Sequence, residues 1–166
     1  EVRAAAARLA ARARHGLSLP SAGRPAVSDL LLLAPGAPLP EGLEGAAAGA
    51  RGHARVAPGE RLGIYWEAYP PPSPGEVRWS LALRDERGGF WRGLGGALGL
   101  ARRAGGEVGL EWSEAAPSGG TLPRAVDLAL PAGLPEGDYA LVLTARFAGH
   151  SAVTAERAVR VSPAGR

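Results

Sequence analysis

The sequence predicts an all-β protein, an Ig-like or fibronectin-type antiparallel β-sandwich of about eight strands. Three observations carry that prediction. Short alternations of apolar and polar residues recur between residues 27 and 161, and a period of 2 is the signature of a half-buried strand. Pro/Gly turns separate these runs, with no long helical stretch between them, which favours packed antiparallel sheets over a parallel α/β fold. The last third, Pro131-Ala-Gly-Leu-Pro-Glu-Gly-Asp-Tyr139 followed by alternating runs to Phe147 and from Val153 to Val161, reads as a closing hairpin.

Residues 1–26 read as an N-terminal segment or linker, expected to be the remnant of an upstream domain. Residues 1–16 are Ala/Arg-rich and favour helix on propensity, or else form the last strand of that upstream domain. Pro20, Gly23 and Pro25 make 17–26 a linker. The sandwich domain then occupies 27–166. Its first strand is Val27 to Leu33, stopped by Pro35, Pro38 and Pro40. Residues 41–52 are Gly/Ala-rich and read as loop. A weak strand at His53 to Ala57 precedes the turn Pro58-Gly59.

The strongest strand runs from Arg61 to Tyr69. Alternation sends Leu62, Ile64, Trp66 and Ala68 to the core and Gly63, Tyr65, Glu67 and Tyr69 outward. The proline-rich segment 70–74 ends it, because proline cannot continue a central ladder. Val77, Trp79, Leu81 and Leu83 form the next inward row, with Arg78, Ser80, Ala82 and Arg84 outward. A turn at 85–89 and a glycine-rich loop follow, and then strands on the rows Val108, Leu110, Trp112 and Val126, Leu128, Leu130. Trp66, Trp79 and Trp112 are expected in the core; Trp91, beside Phe90 in the glycine-rich loop, is expected to be partly exposed.

Composition removes several functions. No Cys occurs, so disulfides, thiolate metal sites and a cysteine nucleophile are absent. No Met occurs either, even at position 1, so the chain is expected to be a processed or excised piece of a longer protein. The bias to Arg, Ala, Gly and Pro suggests a GC-rich bacterial genome. The pI is about 10.1, but the basic excess lies in residues 1–26, where five Arg face one Glu. Residues 27–166 carry 14 Arg against 15 acidic groups, so no basic face for nucleic acid is expected there. No apolar run approaches the ~20 residues that cross a bilayer.

Motifs for catalysis are missing. Gly93 and Gly95 begin a dinucleotide fingerprint, but Leu98 stands at its third glycine. His15, His53 and His150 are too far apart in sequence for a local metal site, and no cofactor is expected. No Gly-x-Ser-x-Gly elbow occurs. Glu67, Glu111 and Glu114 lie near aromatics, so a glycosidase with paired carboxylates is a third reading.

The sharper candidates are Tyr65, Glu67 and Tyr69, joined by Arg78 on a strand expected to pair with theirs, and Trp91. Aromatic and charged groups on a flat sheet face suit sugar stacking or a protein partner. The alternative is that a loop or a neighbouring domain covers this face.

Val27 to Leu33, Leu62 to Tyr69 and the Gly137-Asp-Tyr139 hairpin together resemble the C-terminal β-sandwich region of bacterial proteins that carry a GWxTD domain. The GWxTD motif itself is absent. The resemblance implies a trailing non-catalytic domain of a larger, exported protein. The expected function is therefore a structural or protein-interaction module, in the periplasm or at the cell surface, contacting other domains of its parent chain or a protein partner. A carbohydrate-binding module is the alternative.

Overall fold

The computed structural model describes residues 2–4, 9–11, 23–85 and 108–163. Near the N-terminus, Val2–Ala4 (β1) and Leu9–Ala11 (β2) pair antiparallel. These residues are strand where Ala/Arg propensity favours helix. Propensity is a weak prior in so short a piece, and backbone pairing overrides it.

The remaining strands build two sheets. One holds Arg55–Val56 (β5), Gly75–Asp85 (β7), Val108–Ala116 (β8), Gly137–Phe147 (β10) and Val153–Val161 (β11), in the order β5-β11-β10-β7-β8. The other centres on Arg61–Tyr69 (β6), with Leu122–Ala129 (β9) along one side and Ala26–Val27 (β3) and Leu31–Leu32 (β4) along the opposite side. All named pairings are antiparallel except β5 with β11. The all-β expectation is met.

Trp66 of β6 meets Trp79 of β7 edge to face, with centroids 5.6 Å apart, so the sheets face each other across one core. Its inner rows are those read from alternation: Leu62, Ile64, Trp66 and Ala68 from β6, and Val77, Trp79, Leu81 and Leu83 from β7, all buried. Burying a large apolar side chain contributes roughly 1.5–3 kcal/mol, so these rows dominate stability.

Three corrections concern how the sheets are wired. First, β7 does not pair with β6. The prolines at 70–74 end the ladder, and the chain crosses to the other sheet, where β7 pairs β8 and β10. Second, the strand expected over 27–33 is split. Val27 faces Ala68 and Leu31 faces Tyr65, which leaves one residue too many on the outer strand, a β-bulge at 28–30. Ser28 fills the gap: its amide donates to Glu67 O at 2.8 Å, and its Oγ accepts from the Glu67 amide at 2.9 Å.

Third, residues 41–52 are not all loop. Leu43–Ala48 forms a short helix (α1) with no side-chain cap at Gly42. A six-residue helix is unstable alone, so packing holds it. Ala46 is fully buried with Leu33 and Tyr65 in a second apolar cluster on the outer face of β6. Gly63 permits this close approach, since a Cβ there would lie 3.0 Å from Leu33 Cβ. Residues 34–50 thus make a strap over the sheet, tied at its ends by Leu33 N–H to Gly63 O and Arg51 N–H to Leu32 O, each 2.9 Å.

Candidate functional site

Residues two apart on a strand share a face, which puts Tyr65, Glu67 and Tyr69 in one outward row on β6. The two phenols lean toward the carboxylate between them. Tyr65 donates to Glu67 Oε1 at 3.0 Å and Tyr69 to Oε2 at 2.9 Å. The row is unevenly covered. Tyr65 is only 2% exposed beneath the strap, whereas Tyr69 is 38% exposed beyond its edge. Burial, then the bond to Glu67, pushes the Tyr65 phenol up to about 12. The same two causes, in the same order, raise Tyr69.

The expected platform is therefore much smaller than the sequence suggests. Tyr65 cannot stack on a ligand, because Leu33 and Ala46 already occupy its surroundings. Arg78 is not beside it. It stands on β7 in the five-stranded sheet, on the outer face opposite to that of β6. There its Nε donates to Glu76 at 2.9 Å. That bond holds the Glu76 carboxyl below its ordinary range and raises Arg78. Trp91 and the glycine-rich stretch 88–99 lie outside the described residues.

A second carboxylate centre joins the sheets. Glu114 on β8 continues the inward row of Leu110 and Trp112 and accepts from Trp79 Nε1 at 2.6 Å. Arg124 on β9 donates its Nε to both Glu114 oxygens, at 2.8 and 2.9 Å, and its second guanidinium nitrogen lies 2.8 Å from Oε2. The indoles of Trp79, in the core, and Trp112, packed against it, stack with centroids 5.9 Å apart. Sequence reasoning placed Glu114 among possible catalytic acids and missed Arg124. The signal was present: strand parity puts both charges on apolar rows, where opposite signs must meet or be buried unpaired.

A third pair closes the strap. Arg51 Nη1 lies 2.7 Å from Glu60 Oε1, and Glu60 Oε2 accepts the Ala57 amide at 2.8 Å. Glu111 also has an interaction partner within the protein. Among the described residues, no cluster of three or more His, Asp or Glu is arranged to hold a metal ion. His53 Nδ1 accepts the Arg55 amide at 3.2 Å. No described helix is long and apolar enough to cross a membrane.

No family model and no curated protein matches this chain. Among solved structures it is similar to Spo0M, a sporulation control protein from Bacillus subtilis, with TM-score 0.47 and 12% identity over 86% of this chain and 51% of that one. It is also similar to a family 123 glycoside hydrolase from Clostridium perfringens, with TM-score 0.46 and 11% identity over 66% of this chain and 22% of that one. The chain thus spans about half the length of the first and under a quarter of the second.

Proposed function

We propose that this chain is a non-catalytic structural or protein-interaction module of Ig-like type within a larger bacterial protein. The observation that carries the reading is the state of its carboxylates. Glu67 accepts a phenol on each oxygen, and both oxygens of Glu114 accept from Arg124, with Trp79 added on one. Acid/base work on a glycoside needs two carboxylates free to face a substrate across ~5–10 Å. Here Glu67 and Glu114 hold the fold together instead.

Two features favour the Ig-like assignment. Strands are divided between a sheet centred on β6, with β3, β4 and β9 beside it, and a sheet built around β7 and β10. Tyr139, at the start of β10, donates its hydroxyl to Pro135 O at 3.0 Å, the geometry of a tyrosine corner. Placement in an exported, GWxTD-associated parent rests on the strand motifs given above and is part of the proposal. The carbohydrate reading retains Tyr69 alone of its proposed aromatic row.

The test is titration of the full chain with a panel of soluble oligosaccharides, followed by tryptophan fluorescence, together with assay on aryl glycosides. Neither a saturable response nor turnover is expected. A saturable response that disappears in Tyr69→Ala at unchanged melting temperature overturns the reading in favour of a sugar site.

A further inference from the structure

The outer face of the five-stranded sheet carries an arrangement that its own stability does not explain. In the ladder between β7 and β10, Arg78 stands directly opposite Arg146, and partners across a ladder project to the same side. Like charges so placed destabilise a sheet. Glu76 compensates Arg78 at 2.9 Å, but Arg146 has no hydrogen bond or ion pair among the described residues and is exposed. One step along the ladder, Ser80 faces Thr144, which in turn faces Thr154 on β11. Two guanidiniums and three hydroxyls thus adjoin on one face of the sheet.

We propose that Arg146 and Arg78, with Ser80, Thr144 and Thr154 beside them, form the contact point for an acidic segment of a protein partner. This rests on the protein-interaction reading. A guanidinium presents a planar fork of donors that matches a carboxylate, and a second one alongside strengthens the attraction. The surroundings limit the charge that fits. Glu76 lies on the same strand, Glu111 faces Ser80, and Glu156 faces Val142. Carboxylates thus bound the two guanidiniums, an arrangement that suits a short acidic segment reaching Arg146 and disfavours a continuous polyanion such as nucleic acid or a sulfated glycan. Small ligands bind in concave pockets, whereas protein partners bind the open surface of a sheet.

The experiment is residue-resolved NMR of the full chain at low ionic strength, titrated with a capped tri-glutamate peptide. A capped Gly-Ser peptide and a heparin-derived hexasaccharide run in parallel. Saturable shifts are expected at Arg78, Thr144, Arg146 and Thr154 with tri-glutamate, and none with Gly-Ser. Arg146→Ala weakens the response by about tenfold while the melting temperature holds or rises, because the like-charge pair is gone. Arg146→Lys retains part of it. Absence of saturable shifts overturns the inference, as does a response unchanged in Arg146→Ala or tighter binding of the sulfated saccharide. The two readings fail separately: a sugar response appears at Tyr69, on the opposite outer face, and silence at Arg146 with Tyr69 also silent removes this contact point alone.

Discussion

Glu67 occupies an outward strand position of the kind usually left to solvent, yet both of its oxygens are claimed by neighbours on its own strand. Spacing explains this: a side chain reaches i±2 along one face, and two phenols flank one carboxylate. Tyr65→Phe removes one of these bonds and is expected to lower stability by about 1 kcal/mol in chemical denaturation. The pH dependence has a definite sign. The Tyr65 phenol is raised from 10.0 to about 12, so between those values the folded state holds a proton that the unfolded state has lost. Its contribution to stability is intact below pH 10.0 and disappears as pH rises through about 12. Phenolate absorbance should show a late-titrating component that is missing in Tyr65→Phe.

Among the elements, the strap over 34–50 packs on the sheet through Ala46 and the adjoining Leu33. Leu33 is 1% exposed and lies between Gly63 and α1. Leu33→Ala is expected to lower stability by about 2–4 kcal/mol and to bring the Tyr65 titration back toward 10.0, since burial is the largest cause of its shift. The sheet edges show a different device. β11 has an outer partner only at Arg160 and Val161, and along its open stretch Arg157 occupies the row of Leu141, which faces the core. Arg157 is exposed, and a charge on the inward row of an open edge opposes the addition of a second chain there. Arg157→Val should leave the melting temperature near its original value and promote self-association, read by size-exclusion chromatography with light scattering.

For the whole molecule, the joint between the sheets is both apolar and ionic. Trp66, Trp79 and Trp112 stand within 6.0 Å of one another by centroid, and Glu114 with Arg124 closes the side where β8 and β9 form the sheet edges. Glu114→Ala strips Arg124 and the Trp79 indole of their shared acceptor. The expected loss is about 2 kcal/mol, visible in urea denaturation followed by tryptophan fluorescence. Both sheets should still unfold in one transition, because the core that joins them is continuous.

Alternation by itself determined which residues face the core, since a period of 2 leaves each strand one apolar side: the inward rows of β6 and β7 stand as read. Turn chemistry likewise determined the closing hairpin, where Tyr139 faces Val159 and Thr144 faces Thr154. Beyond that hairpin, neither signal says which strand lies beside which. Pairing depends on where the chain crosses after the prolines at 70–74, and that crossing set Arg78 opposite Arg146 instead of near Tyr65. Nor does periodicity reveal cover supplied from elsewhere in the chain. Residues 34–50 lack an apolar pattern, but Leu33 and Ala46 close over Tyr65 and turn an outward aromatic into a buried one. Local pattern thus decided facing, because it depends only on neighbours along the backbone; exposure and partnership were decided by the tertiary structure, because they depend on contacts between residues distant in sequence.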